Sequence, residues 1–296
     1  MKKILVTGAS GFIGYHVIEN LISSNFKVLG VDINEPENPQ EGCKYLKKNI
    51  SNLNEKDIND CDFIIHLACD TNIKNSIENP VPTTDNNLGL TIKLLSLASK
   101  VKIKKFVFPS TASMYGTNNI PWHEKMISDP GEPYSWQKIS IEYALKMWTS
   151  RYKLPTTILR LFQVFGENQR KDTAIAAFMS QKKNNKPITL IRSSEKSKFN
   201  TGRRDWIYVK DIAEAFKLTL LSNNTGKGEI INIATGKLIS VEEIAKTVGG
   251  EITFLPSRDY EVDDHLADVS KAKKLLNWEY KMDVIPWLKD YIKKNL

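Results

Sequence analysis

The sequence predicts an α/β protein built on a doubly wound parallel sheet with a smaller, less regular α/β lobe. Three observations carry that expectation. Short apolar runs alternate with helical patterns through the first half, a glycine-rich turn follows the first run, and the rhythm loosens beyond about residue 163. The chain has 296 residues, 41% hydrophobic and 26% charged, which supplies a sizeable core and excludes disorder, collagen and coiled coil.

The main-sheet strands are expected at 3–7, 27–32, 44–49, 63–67, 105–109 and 156–161. Between the first two, Phe12, Ile13, Val17, Ile18, Leu21 and Ile22 recur at helical spacing, and 88–98 and 135–148 read as two further amphipathic helices. Beyond Gln163 come a helix from Thr173, a strand at 188–191, a polar loop at 193–204, the run WIYV and a helix at 209–221. Residues 230–233 should return to the main sheet, and 252–255 should form a last short strand. Residues 1–162 with 205–233 then make the sheet domain, and 163–204 with 234–296 the second lobe, with a ligand cleft between them.

Lys plus Arg (42) exceed Asp plus Glu (34), so the net charge of +8 favours anionic ligands. The basic residues are scattered singly or in pairs without an aromatic-interleaved patch, which argues against nucleic acid as the partner. Cys43, Cys61 and Cys69 have neither a disulfide framework nor zinc-site spacing, and no His/Asp/Glu cluster suggests a metal. A reducing cytoplasm is the simplest setting. The apolar stretch before Gly8 is too short for a signal sequence, and no window has the roughly 18 apolar residues of a membrane span.

Gly8, Gly11 and Gly14 in TGASGFIG stand between a strand and a helix, where backbone can approach a pyrophosphate whose charge the helix terminus stabilises. Phe12 and Ile13 lie in the same turn. Asp32, closing the second strand, can bond both hydroxyls of an adenosine ribose and would repel a 2'-phosphate, so the expected cofactor is NAD rather than NADP.

Tyr134 and Lys138 are one helical turn apart, a spacing at which an ammonium group would favour the phenolate and lower the tyrosine pKa. That spacing proves nothing by itself. Its context strengthens it: Ser110, Thr111, Ala112 and Ser113 follow the fifth strand, at the edge where doubly wound folds bind ligands.

These blocks, with IIHLAC, DNN, PSTASMYG, EPYSWQK, LRLFQVFG, RRDWIYVKD and LADVSKAKKLLNW in order, resemble the extended short-chain dehydrogenase/reductases that act on nucleotide sugars, the NAD-dependent epimerases and dehydratases. The resemblance covers nearly the whole chain and implies a Rossmann domain. It makes Thr111 the catalytic Ser/Thr, Tyr134 the acid/base, and Lys138 the residue that tunes the tyrosine and holds the nicotinamide ribose. Asn49, Ile50, Leu67, Ala68, Cys69, Asn86 and Phe162 would line the cofactor. Thr71, Ser110, Ala112, Ser113, Gln163 and Trp206 would face the substrate, and Arg204 and Arg258 would clamp its diphosphate. His265 matches a position bordering the sugar, against the alternative of a solvent-facing loop histidine.

Departures narrow the reaction. Dehydratases of the family carry Asp-Glu after the catalytic Thr, where this chain has Ala112 and Ser113, so elimination of water would lack its proton donor. The expectation is therefore a nucleotide-sugar 4-epimerase acting through a 4-keto intermediate on a UDP-hexose, hexosamine or hexuronate. A 4-dehydrogenase or 4-ketosugar reductase is the alternative within enzymes, and a non-catalytic NAD-binding protein with a basic RNA- or partner-binding surface the alternative outside them. The stretch ENQRKDTAIAAF looks closer to hexuronate 4-epimerases than to galactose epimerases. The resemblance also implies a homodimer through helices 88–98 and 135–148.

Overall fold

A computed structural model describes residues 1–195, 197–257 and 262–296. The first six strands are β1 (Lys3–Thr7), β2 (Lys27–Asp32), β3 (Cys43–Lys47), β4 (Phe63–His66), β5 (Lys105–Thr111) and β6 (Thr156–Leu161). They are followed by β7 (Gln163–Phe165), β8 (Ile188–Ile191), β9 (Arg203–Arg204), β10 (Trp206–Tyr208), β11 (Lys227–Ile233), β12 (Ile239–Ser240), β13 (Ile252–Leu255) and β14 (Asp264–His265). Seven strands form one parallel sheet in the order β11-β6-β5-β4-β1-β2-β3, with β11 returning beside β6 as its apolar run anticipates. Strand order reverses about β1 and β4, the arrangement that opens a crevice at the carboxyl ends of a doubly wound sheet.

The helices are α1 (Phe12–Ser23), α2 (Glu55–Ile58), α3 (Ile73–Glu78), α4 (Pro80–Thr84), α5 (Leu90–Lys100), α6 (Pro133–Tyr152), α7 (Ala174–Lys183), α8 (Val209–Leu221), α9 (Val241–Val248), α10 (Ser270–Leu276) and α11 (Val284–Asn295). Strand alternation divides the core between the two sheet faces. Ile4 and Val6 pack with Val17 and Leu21 of α1 and Phe216 of α8, whereas Leu5 and Ile64 pack with Leu94 of α5 and Leu145 of α6. A third cluster, with Phe178, Leu190, Trp206 and Trp287, fills the smaller lobe. Buried Asp205 accepts from Thr235 and Gly236 and, at 3.3 Å, from the Ala267 amide, thereby joining the segments of that lobe to the end of β11.

β4 ends at His66, β5 runs on to Thr111, β11 starts at Lys227 and the helix expected at 135–148 spans Pro133–Tyr152; two further boundaries differ for identifiable local reasons. The third strand stops at Lys47 because Asn49 turns its side chain back to accept from Ser51 N at 2.8 Å and opens a 3₁₀ turn. The helix expected at 88–98 starts earlier: α4 has Pro80 at its first position and runs through a π-helical turn at Asp85–Gly89 into α5.

α6 begins where Glu132 accepts from Ser135 N at 3.0 Å and Pro133 pre-sets the first turn, and it ends at Lys153 in the left-handed region. Its middle is pinned to the sheet by a bidentate pair between Glu142 and Arg160 of β6, at 3.0 and 2.7 Å, with both side chains under 5% exposed. Removing one partner of such a pair strands the other charge in the core. Glu142→Ala is therefore expected to destabilise the fold by about 3–5 kcal/mol, read as a lowered denaturant midpoint.

Candidate functional site

The glycine turn fits a dinucleotide on steric grounds. Gly8 has φ +68°, and a Cβ there would lie 2.7 Å from Ala68 N; a Cβ on Gly14 would lie 2.1 Å from Gly8 O. No side chain caps the head of α1, so the N–H groups opening that helix, at Phe12 and Ile13, are available to an anion. Beside this turn is a cleft of about 430 Å³ lined by Gly8, Gly11, Asp32, Asn49, Ile50 and Asn86, and also by Leu67, Ala68 and Cys69. Asp32 is oriented by amides of Ser10 and Asn34, each at 3.0 Å, at the end of β2. These features, a close backbone approach, an uncapped helix start and a fixed carboxylate, match the needs of NAD.

Asn34, Lys48 and Asp70 also line the cleft without having been singled out from the sequence. Asn87 is a further addition. Buried at the π turn, it accepts from Asp70 N at 2.7 Å and donates to Asp70 O at 2.9 Å and to Gln137 Oε1 at 2.7 Å. It thus ties the loop after β4 to α6. The motif DNN was visible in the sequence, but only the fold shows that its second asparagine is the structural link.

α6 brings Tyr134 and Lys138 to the end of β5. Lys138 Nζ donates to Pro109 O at 3.0 Å and lies 4.4 Å from the Phe108 ring centroid and 5.7 Å from that of Tyr134. The Thr111 hydroxyl is near enough to the Tyr134 phenol to favour its charged form, and Ser76 accepts from Tyr134 N at 3.2 Å. Burial pushes the phenol well above its ordinary value, reinforced by Cys69 and Glu132; the Thr111 hydroxyl and the Arg170 charge pull it down. In the chain alone desolvation dominates, so the phenol lies above its ordinary value and not below it as the Tyr134–Lys138 spacing led one to expect.

Arg170 was overlooked in the sequence because it follows β7 far from Tyr134 along the chain. It donates to Thr71 Oγ1 and is held by Asp172 at 3.0 and 3.1 Å, so a guanidinium stands close to the phenol.

The remaining residues separate by environment. Ala112 is buried, Ser110 Oγ has no hydrogen-bond partner among the described residues, and Ser113 bonds Thr111 Oγ1 at 2.9 Å. Gln163 pairs through its amide with Asp205 O at 3.0 Å. Phe162 stacks loosely in the core with Tyr115 and Trp122. Trp206 also belongs to the packing: it is 3% exposed and its indole donates to Ile239 O. As the first residue of β10 it points into the third hydrophobic cluster, which places it in the core rather than at a cleft.

Arg204 donates to Arg203 O and Asp263 O, while Arg203 pairs with Asp264 at 2.6 Å. His265 pairs with Arg204 across β9 and β14 and lies 4.9 Å from the Trp122 ring, so it is a strand residue and not a solvent-facing loop histidine. Burial and the Arg204 charge hold its pKa well below the ordinary value. Arg258 lies outside the described residues. Cys69 is no activated nucleophile: burial raises its thiol pKa more than neighbouring Lys138 lowers it.

His66, read as structural, closes β4 with Nδ1 2.6 Å from Thr7 Oγ1 and Nε2 2.9 Å from Thr91 Oγ1. Burial lowers its pKa from 6.5 to about 3. Between those values the unfolded chain binds a proton that the folded chain does not, so stability falls as pH falls. From pH 7 to pH 5 this residue should cost about 2 kcal/mol, and His66→Asn should flatten the slope of stability against pH in denaturant titrations.

Residues 4–234 match the model of the NAD dependent epimerase/dehydratase family. A putative UDP-glucose 4-epimerase of Methanocaldococcus jannaschii is 32% identical, over 97% of this chain and 98% of that protein. A UDP-glucuronate 4-epimerase of Thermodesulfobacterium geofontis is also 32% identical, over 98% and 94%. The crystal structure of UDP-glucuronic acid 4-epimerase from Bacillus cereus, in complex with UDP-glucuronic acid and NAD, superposes with a TM-score of 0.88 at 29% identity, covering 99% of both chains.

Proposed function

The chain belongs to the NAD-dependent epimerase/dehydratase family, and from that premise we propose that it is a UDP-sugar 4-epimerase in which Thr111, Tyr134 and Lys138 act on the C4 hydroxyl. The observation that carries the reading is the meeting of these three side chains at the carboxyl end of β5, next to the glycine-lined cleft. Acting on UDP-hexoses or hexuronates is what the related 4-epimerases are named for. Ala112 and Ser113 offer no carboxylic acid for dehydration.

Bound NAD supplies the acceptor and then the donor of a hydride at C4. Tyr134 Oη removes the hydroxyl proton and returns it with Thr111 as the relay, and the Lys138 ammonium favours the phenolate. Gly8, Gly11, the amides of Phe12 and Ile13, Gly14 and Asp32 hold the dinucleotide; Asn49, Ile50, Leu67, Ala68, Cys69, Asn86 and Phe162 border it. Arg204 and Arg258 clamp the substrate diphosphate, with Thr71, Ser110, Gln163 and His265 around the sugar. The pocket would have to let a 4-keto sugar turn and present its other face to the cofactor. Residues 1–162 with 205–233 serve as the cofactor domain, and 163–204 with 234–296 as the sugar-nucleotide lobe. Three free cysteines suit a cytoplasmic setting, and among the described residues no helix is long and apolar enough to cross a membrane.

A homodimer goes with this reading. Trp136, Tyr143 and Met147 are 49%, 66% and 42% exposed along one side of α6, an apolar stripe beside α5 that suits a second copy of the same helix pair. Sedimentation at micromolar concentration should give twice the 33.7 kDa chain mass; a monomer would count against it.

The activity test is NMR of purified protein against UDP-hexoses, hexosamines and hexuronates without added cofactor. A C4 epimer is expected. Turnover only with stoichiometric NAD or NADH would instead mark a net oxidoreductase. Tyr134→Phe should lower kcat by about 10²–10⁴-fold with the melting temperature unchanged, since only the acid/base group is lost.

A further inference from the structure

Tyr134 is 9% exposed, so its phenol has little access to bulk water, and the proposed reaction needs its oxygen free to accept a proton. The proton must have a way out. A continuous chain of hydroxyls leads from the site to the start of α6. Thr111 Oγ1 bonds Ser113 Oγ at 2.9 Å, Ser113 Oγ bonds Ser135 Oγ at 2.7 Å, and Ser135 Oγ bonds Glu132 Oε1. Ser135 itself is fully buried, whereas Glu132 is half-buried at the outer end.

We propose that Thr111, Ser113, Ser135 and Glu132 form a proton path that loads and unloads Tyr134, a role that rests on the reading of Tyr134 as the acid/base. The direction of the chain follows from its terminus. A carboxylate only accepts, so Ser135 O–H donates to Glu132, Ser113 donates to Ser135, and Thr111 donates to Ser113. Ser113 N donates back to Thr111 Oγ1 at 3.2 Å, which leaves one lone pair on Thr111 for the Tyr134 O–H.

When the phenol loses its proton, each proton moves one oxygen along. The Tyr134 proton goes to Thr111, the Thr111 proton to Ser113, the Ser113 proton to Ser135, and the Ser135 proton to Glu132, which releases it to water. Charge balances, with phenolate formed and one proton delivered. Every hydrogen bond in the chain has then reversed, and Thr111 donates to the phenolate it has just discharged. The same steps run backwards return the proton.

Glu132 has a second job, capping α6 through Ser135 N at 3.0 Å, so the test must separate capping from conduction. Glu132→Gln keeps an acceptor oxygen for the cap but abolishes the carboxylate. Ser135→Ala keeps the capped N–H and breaks the chain, and Ser113→Ala breaks it one link further in. The charged and titratable groups facing the phenol are Lys138 and Glu132 along α6, Cys69 after β4 and Arg170 after β7, and all except Glu132 stay in place in these variants.

The experiment is a stopped-flow pH jump on the NAD-loaded protein, following tyrosinate absorbance with Tyr134→Phe subtracted to isolate one of ten tyrosines, together with kcat and KM against pH. In Ser135→Ala, Ser113→Ala and Glu132→Gln the Tyr134 phase is expected to slow about tenfold or more, with kcat falling in step and KM within about twofold. Wild-type rates in both Ser135→Ala and Glu132→Gln, with Tyr134→Phe inactive, would overturn the path and leave the catalytic tyrosine standing. Full turnover by Tyr134→Phe would overturn both.

Discussion

α6 buries the polar side of a helix. Tyr134, Ser135, Gln137, Lys138 and Glu142 are all withdrawn from water, and a buried polar group is costly unless it finds a partner. Each therefore dictates what must stand opposite: Pro109 O for Lys138, Asn87 and the Thr83 and Thr84 hydroxyls for Gln137, and Arg160 for Glu142. Those partners come from β5, from α4 and the π turn that follows it, and from β6. The register of α6 on the sheet, and with it the position of Tyr134 at the end of β5, follows from this matching together with the burial of Ile141, Leu145 and Trp148.

The same burial sets the charge state of the site. Desolvation favours the neutral forms of the Tyr134 phenol, the Cys69 thiol, and the His66 and His265 imidazoles. The cations Lys138, Arg170 and Arg204 remain around them. Neutral side chains with cations nearby suit an anionic sugar nucleotide, and they leave Tyr134 dependent on its surroundings for conversion to a base.

Much of this was legible in the chain. The β1, β2 and β6 boundaries agree with the apolar runs that announced them, and TGASGFIG takes up the strand–turn–helix setting that its glycines imply. What escaped notice depends on distant neighbours. Asn87 meets Gln137 across 50 positions, and Arg170 meets Thr71 across 99, separations at which no local pattern signals contact. Helical spacing likewise reports one neighbouring ammonium but not the depth of burial, which raises the phenol pKa. Trp206, carried over by motif to the substrate side, lies in the core because strand alternation at β10 decides its direction.

The central claim is that hydride leaves C4 of the sugar and returns to the same carbon without entering solvent. A UDP-sugar substrate deuterated at C4, incubated with the protein in ordinary water, tests this directly. Deuterium retained at C4 of the epimerised product is the expected result. Loss of the label to water during epimerisation would contradict the hydride route and with it the roles given to Thr111, Tyr134 and Lys138.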